Sequence, residues 1–270
     1  MKQYTLGDNV KEEALNLFDL RGKTALVTGA AGGLGQAVAL AFAAHGADLV
    51  LADRQGAATE SVAERCREWG SQVSVLSADL ADPVQSKDLA AKALAIYGSI
   101  DILVCNAGMQ GPAGPLLEVK SEDWQQVFQV NLVSAHTLCA GLVPAMAARG
   151  SGSIVLMASI AALRGNRSIG VYGLSKAALA QLARNLAVEL GPSGIRVNAI
   201  APGLIRTPLA QGLLQDAEFM ARRLSMTPLR RVGEPHEVAG IAVMLASAAG
   251  AFITGQTIVV DGGTLVSDGG

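Results

Sequence analysis

The chain has 270 residues, of which half are apolar, 16% are charged and 4% are aromatic. This composition excludes an extended disordered chain, which would be rich in charge and poor in apolar residues, and the length suits one large α/β domain. A net charge of −2 lacks the basic excess that nucleic-acid or anionic-membrane partners favour. We therefore expect neither nucleic acid nor a membrane as a partner.

An N-terminal extension, residues 1–22, precedes the first predicted strand and the domain 23–270. Acidic and amide residues stand among its apolar ones, so it lacks the long apolar stretch of a signal peptide. It is consistent with a short amphipathic helix packed on the body of the protein or on a neighbouring molecule. No later segment supplies an uninterrupted apolar span long enough to cross a membrane, and we predict a cytoplasmic protein.

From Lys23 onward, short apolar runs alternate with longer helical patterns. Strands are predicted at 24–28, 48–52, 72–78, 101–105, 152–158, 196–201 and 257–260. Helices are predicted near 33–45, 57–69, 83–97, 121–148, 170–190 and 234–248. This alternation indicates a single-domain Rossmann fold, a doubly wound seven-stranded parallel sheet with helices on both faces. One long insertion, about 203–233, is expected to be a functional substrate loop.

A glycine-rich turn joins the first strand to the first helix, with the sequence Thr28-Gly-Ala-Ala-Gly-Gly-Leu-Gly35. Such a turn lets the backbone approach a pyrophosphate, and the helix that follows presents free N–H groups and its positive dipole end. The strand before it and the helix after it make the motif informative. The predicted contacts are Gly29, Ala31, Gly32, Gly33 and Leu34.

Asp53 ends the second strand, 24 residues after Gly29. A carboxylate there can accept hydrogen bonds from both adenosine ribose hydroxyls and would repel a 2′-phosphate, which favours NAD over NADP. Arg54 follows at once and could meet a phosphate instead. The alternative for Asp53 is a solvated turn carboxylate.

Two further strand ends carry polar turns that should converge on the same crevice, because ligands in open α/β sheets bind beyond the carboxyl ends of the strands. Asp79-Leu80 ends the third strand, where a carboxylate can hold the adenine amino group. The fourth strand ends in Asn106-Ala107-Gly108. Each could by itself be ordinary turn chemistry.

Tyr172 and Lys176 are four residues apart in a helical pattern, so they share one helix face. Ser159 ends the fifth strand, and a strand end meets the start of the next helix at one edge of the sheet. Together with the other motifs, this ordered set resembles the short-chain dehydrogenase/reductase family over about residues 20–263. The other motifs are the glycine turn, Asn106-Ala107-Gly108, Asn131, Pro202-Gly203, Thr207 and Asp261-Gly262-Gly263.

The resemblance implies a catalytic tetrad of Asn131, Ser159, Tyr172 and Lys176. Tyr172 would transfer the proton, with its pKa lowered by the Lys176 ammonium and the oxidised nicotinamide. Ser159 would hold the substrate oxygen, Lys176 the ribose hydroxyls, and Asn131 a water linked to the lysine. Taken singly, Ser159 could instead be a turn residue, Asn131 a helix-interior amide and Tyr172 a buried aromatic. Nicotinamide contacts are implied for Pro202, Gly203, Ile205 and Thr207.

The substrate pocket is implied to lie among the loop after Asn106, the segment after Ser159 and the 203–233 insertion. Arg164 or Arg167 could bind a substrate carboxylate or could be surface arginines. The other candidate lining residues are Met109, Gln110, Ile160, Ala161, Leu209, Leu213 and Met226.

Three functions remain open at this stage. The first is an NAD-linked dehydrogenase of a small secondary alcohol or ketone. The second is a 3-oxoacyl-thioester reductase, which usually prefers NADP and so disagrees with Asp53. The third is a dinucleotide-binding protein without turnover, which the intact Ser159, Tyr172 and Lys176 disfavour. The resemblance also implies a homotetramer.

The cysteines and histidines show no spacing typical of a metal site or redox motif. We therefore expect reduced, mostly buried thiols and no bound metal. The residues concerned are Cys66, Cys105, Cys139, His45, His136 and His236.

Overall fold

A computed structural model of the chain describes residues 16–268. Seven parallel strands form one sheet in the order β3-β2-β1-β4-β5-β6-β7, which confirms the predicted fold class. The chain reverses its direction of winding between β1 and β4, the point where such sheets open a ligand crevice. The strands are β1 (Thr24–Thr28), β2 (Asp48–Asp53), β3 (Val73–Ser77), β4 (Ile102–Cys105), β5 (Gly152–Met157), β6 (Ile195–Pro202) and β7 (Thr257–Val260).

The α-helices of the described residues are α1 (Gly33–Ala44), α2 (Thr59–Arg67), α3 (Pro83–Tyr97), α4 (Ser121–Phe128), α5 (Ser134–Arg149), α6 (Gly170–Leu190), α7 (Gln211–Gln215), α8 (Ala217–Ser225) and α9 (Pro235–Ala246). Six of them (α1, α2, α3, α5, α6 and α9) contribute to the cores on the two faces of this sheet, and α7 and α8 belong to the 203–233 insertion.

Two hydrophobic cores, one on each face, hold the helices to the sheet. One contains Phe42 of α1 and Val238 of α9, and the other contains Leu138 of α5 and Leu179 of α6. Every residue of β4 and β5 is buried, as expected for strands covered on both faces. The three cysteines are buried and unpaired, as predicted.

The predicted single helix 121–148 differs in the structure. A π-helical turn, Gln129–Val133, joins α4 to α5 and contains the buried Asn131. Such turns insert a residue into the helix and occur often at functional sites. The whole stretch Ser121–Arg149 is long and apolar enough to cross a membrane by composition. In this fold it is a core helix, because Leu138, Leu142 and Met146 are fully buried.

The 203–233 insertion is mostly helical rather than irregular, since it contains a 3-10 turn (Pro208–Ala210), α7 and α8. Its two ends are fastened together, because Arg206 N donates to Gly233 O (2.9 Å) and Gly233 N donates to Leu204 O (3.0 Å). A segment closed at its base in this way can cover a crevice as one unit.

Part of the N-terminal extension packs on the domain. Leu20 is buried in the core beside α1, and its N–H donates to His45 O (2.9 Å). Most of residues 1–22, where an amphipathic helix is expected, lies outside the described residues, which begin at residue 16.

Candidate active site

A cavity of about 700 Å³ lies at the carboxyl ends of the strands. This volume is within the range of small-molecule and cofactor sites. Except for Ala31 and Asn131, all the predicted cofactor and catalytic residues line it: Gly29, Gly32, Gly33, Leu34, Asp53, Arg54, Asp79, Leu80, Asn106, Ala107, Gly108, Ser159, Tyr172, Lys176, Pro202, Gly203, Ile205 and Thr207.

The glycine turn needs glycine at Gly29 for two reasons. Its φ of 63° lies in the left-handed region, and an added Cβ would come 2.8 Å from the Ala107 Cα. The turn is also fastened to β4, because Asn106 Nδ2 donates to Thr28 O (3.0 Å) and Gly29 O (3.1 Å). The Asn106 side chain therefore holds the cofactor loop in shape as well as lining the cavity.

Asp53 faces the same loop from the end of β2. Its Oδ2 accepts a hydrogen bond from Ala31 N (2.9 Å) and its Oδ1 one from Arg54 N (2.8 Å). Each carboxylate oxygen retains a further lone pair for a ligand hydroxyl. Ala31 lines an adjoining groove together with Gly32, Asp53 and Arg54, and its N–H also holds the Asp53 carboxylate in position.

Asp79 lies at the sheet edge beyond Asp53. Its Oδ1 accepts from Ala81 N (2.9 Å), and its own N–H donates to Gln85 Oε1 (2.9 Å). Both carboxylates that line the cavity thus lie at its β2–β3 end.

Tyr172 and Ser159 meet on the other side of the cavity. Ser159 Oγ accepts a hydrogen bond from Ala161 N (3.1 Å), which caps the 3-10 turn Ile160–Ala162. The turn role considered for Ser159 is therefore real, and it does not use the hydroxyl proton. Removal of the phenol from water raises the pKa of Tyr172, while a hydrogen bond from Ser159 opposes the increase. The pKa decrease expected for Tyr172 is absent in the chain by itself.

Lys176 is buried one turn after Tyr172 in α6. Its Nζ donates to Met157 O (2.7 Å) and lies 5.6 Å from the centre of the Tyr172 ring. Burial lowers the pKa of Lys176 to about 8, and the nearby Cys105 opposes the decrease. A Cβ on Gly108 would come 3.1 Å from this Nζ, so glycine leaves the ammonium accessible from the cavity.

Asn131 supports the site from behind the cavity wall. Its Oδ1 accepts from Met109 N (2.8 Å), and its Nδ2 donates to Met109 O (2.9 Å) and to Ser175 Oγ (2.9 Å). Ser175 in turn donates to Tyr172 O (2.8 Å). Sequence reasoning missed Ser175, although its place between Tyr172 and Lys176 in α6 could have suggested it.

The substrate end of the cavity agrees with most of the predicted lining. Arg167 and Met226 do not line it, because Arg167 is exposed beyond the turn and Met226 follows the end of α8. The lining residues that sequence reasoning missed include Asn166, Ile169, Phe219 and Arg223. Phe219 and Arg223 are one helical turn apart in α8, a spacing visible in the sequence once that segment is known to be helical.

These features fit a nicotinamide dinucleotide. The glycine turn leaves room for a pyrophosphate, Asp53 can accept from ribose hydroxyls, and Tyr172 and Lys176 lie at the opposite end of one continuous cavity. Within residues 16–268, no three His, Cys, Asp or Glu side chains gather as metal ligands. The fold and the site together are typical of oxidoreductases that use a dinucleotide.

Comparison with known proteins agrees with this class. A family model described as enoyl-(acyl carrier protein) reductase matches residues 29–264. The chain belongs to the short-chain dehydrogenase/reductase family and is an oxidoreductase of that family. An uncharacterised oxidoreductase of Mycobacterium tuberculosis is 41% identical over 92% of this chain and 94% of its own. The 3-oxoacyl-[acyl-carrier-protein] reductase of Thermotoga maritima is 38% identical over 92% of this chain and 99% of its own.

Solved structures give the same result. A 7α-hydroxysteroid dehydrogenase in complex with NADH and 7-oxo glycochenodeoxycholic acid has a TM-score of 0.88 and 35% identity, over 92% of this chain and 96% of its own. A Beutenbergia cavernae protein described as an NAD(P)-dependent gluconate 5-dehydrogenase, with bound NADP, has a TM-score of 0.86 and 38% identity, over 93% and 100%. These relatives bind nicotinamide dinucleotides of both kinds.

Proposed function

We propose that this chain is a cytoplasmic, NAD(H)-dependent dehydrogenase that interconverts a small secondary alcohol and its ketone. The observation that carries the proposal is the common cavity, in which Ser159, Tyr172 and Lys176 lie at one end and Asp53 at the other. Bound cofactor would supply or accept the hydride.

The chain's own residues would donate and accept the proton that is transferred with each hydride. Tyr172 would accept the hydroxyl proton during oxidation and donate a proton to the carbonyl oxygen during reduction. Burial raises the pKa of Tyr172 in the chain by itself, so a decrease during oxidation would come from the Lys176 ammonium and the bound cofactor. Ser159 donates its hydroxyl proton to Tyr172 in the chain by itself, and it would donate the same proton to the substrate oxygen once substrate is bound. Asn131 holds the Met109 backbone and the Ser175 hydroxyl, and Ser175 in turn donates to Tyr172 O.

A 3-oxoacyl-thioester reductase remains the second candidate, and the Thermotoga maritima relative favours it. Asp53 argues against it, because this carboxylate would repel the 2′-phosphate of NADP. A dinucleotide-binding protein without turnover is the third, and the intact Ser159, Tyr172 and Lys176 argue against it.

The test is a steady-state activity screen with NAD and NADP across secondary alcohols, hydroxy acids and acyl thioesters. We expect turnover of a secondary alcohol or hydroxy acid with NAD. Preferred turnover of an acyl thioester with NADP would establish the second candidate instead. Dinucleotide binding without any turnover would establish the third.

Asp53 should set the choice between NAD and NADP. Removing its charge in Asp53→Ala or Asp53→Asn is expected to lower the NAD-to-NADP ratio of kcat/KM by about 10- to 100-fold, the loss typical of a hydrogen bond to a charged group. Asp88→Ala, an exposed carboxylate on α3, serves as the control. An unchanged ratio in the Asp53 variants would refute the ribose-binding role.

We also propose that the chain assembles as a homotetramer. On α6, Leu174 and Val188 are apolar yet 43% and 81% exposed, and their spacing of two heptads places them on one helix face. Burying such a face between copies would remove apolar area from water. Val188→Asp is expected to reduce the molar mass measured by light scattering. A monomeric wild-type chain would contradict the proposal.

A further inference from the structure

Two arginines face the substrate end of the cavity without a carboxylate partner. Arg164 follows the turn that Ser159 begins, and Arg223 lies on α8, within the insertion that covers the crevice. Among the described residues, the ion pairs formed by arginine involve Arg21, Arg67, Arg149, Arg206 and Arg231. Arg164 and Arg223 therefore keep their forked N–H donors available.

The backbone that carries Arg164 and the side chain of Arg223 are both held in place. Asn166 Nδ2 donates to Ala161 O (2.8 Å) and to Arg164 O (2.9 Å), so the turn that carries Arg164 is fixed from within. The guanidinium carbon of Arg223 lies 5.4 Å from the centre of the Phe219 ring, and Phe219 also lines the cavity. Stacking on an aromatic face restricts a guanidinium and leaves its edge donors free.

The two charges also act on one another. Burial lowers the pKa of Arg223, and the charges of Arg164 and Arg222 lower it further, while Asp261 opposes the decrease. Two half-buried cations at one wall repel each other, and their solvation by water is reduced. A bound anion would relieve both effects. The carboxylates that line the cavity, Asp53 and Asp79, lie at the far end near β2 and β3.

We infer that Arg164 and Arg223 form a carboxylate-binding pair, so that the substrate is a hydroxy acid whose alcohol carbon lies at Ser159 and Tyr172. Guanidinium groups bind carboxylates through two parallel hydrogen bonds, which orients the substrate as well as holding it. The cavity wall also includes three apolar side chains from the two segments that carry the arginines, Ile160, Leu209 and Leu213. A short carbon chain between the alcohol and the acid would fit this wall. The inference rests on the proposed dehydrogenase function and names its substrate class.

The test compares a hydroxy acid with its neutral amide of the same chain length. The screen supplies the hydroxy acid, and wild-type enzyme is expected to favour it over the amide in kcat/KM. In Arg164→Gln and in Arg223→Gln this preference should fall about 10- to 100-fold, mainly through a higher KM for the hydroxy acid. Each variant loses one guanidinium group and with it the charged donors that would bind the substrate carboxylate. Arg167→Gln and Arg222→Gln, both exposed neighbours, are the matched controls.

Three measurements keep the result interpretable. Normal NADH affinity in each arginine variant shows that the chain is folded, and Arg223→Lys should restore part of the preference because it keeps the charge without the fork. Equal turnover of acid and amide by the wild type would overturn the inference and leave the dehydrogenase function standing. A preference for an acyl thioester would overturn it as well. Failure of the dehydrogenase function itself would appear separately, as no turnover of any alcohol with either cofactor.

Discussion

Replacing Tyr172 by phenylalanine is expected to lower kcat by about 10²- to 10⁴-fold, the usual contribution of a positioned general acid or base. The variant loses one hydroxyl from the cavity wall and leaves Lys176 bonded to Met157 O. The affinity for NADH should therefore stay within about threefold of the wild-type value. Loss of a hydrogen bond to a charged group would lower it by more than this. Stopped-flow kinetics and a fluorescence titration with NADH measure the two quantities.

Tyr97→Phe is the matched control for this variant. The Tyr97 hydroxyl donates to Leu49 O (3.4 Å), and the residue is not part of the cavity wall. We expect wild-type turnover from it. If Tyr172→Phe also retained wild-type turnover, the proton-transfer assignment would be wrong.

Replacing Lys176 by methionine is expected to abolish most turnover and to change the pH dependence of stability. The pKa of Lys176 is about 8 in the folded chain and near 10.5 when the chain is unfolded. Between these values the unfolded chain binds more protons than the folded one, so the free energy of unfolding rises with pH through this window. Below about pH 8 the buried ammonium lowers stability by about 3 kcal/mol.

Methionine removes that cost and also the hydrogen bond to Met157 O, which contributes about 1 kcal/mol. Lys176→Met should therefore be about 2 kcal/mol more stable than the wild type at pH 7, and the difference should reach zero at about pH 10 and reverse to a loss of about 1 kcal/mol above about pH 10.5. Urea denaturation at several pH values measures this, with Lys92→Met, an exposed position on α3, as control. Parallel pH profiles for wild type and Lys176→Met would contradict the shifted pKa.

Local sequence patterns predicted the sheet because its strands are covered on both faces and read as continuous apolar runs. The same logic placed the site, since parallel strands bring their carboxyl ends to one edge regardless of side-chain detail. Errors arose where local pattern does not set the geometry. The π-helical turn that interrupts 121–148 carries Asn131, whose side chain is hydrogen-bonded to Met109 and Ser175. Met109 is 22 residues away in the chain and Ser175 lies on another helix, so the local pattern does not show these contacts. The helices of the 203–233 insertion lie in a segment whose ends are joined by long-range hydrogen bonds.

The sequence by itself determined the fold class and showed which strands end in polar residues. It also determined the pair Tyr172 and Lys176, because side chains four residues apart in a helix lie on one face. The tertiary structure decided everything that depends on burial and on distant partners. It raised rather than lowered the pKa of Tyr172, because burial acts on the phenol more strongly than its hydrogen bond from Ser159. In the structure Arg167 lies outside the cavity, and Arg223 lines the cavity together with Arg164. The sequence did not show this, because α8 packs over the crevice through contacts between segments that are far apart in the chain.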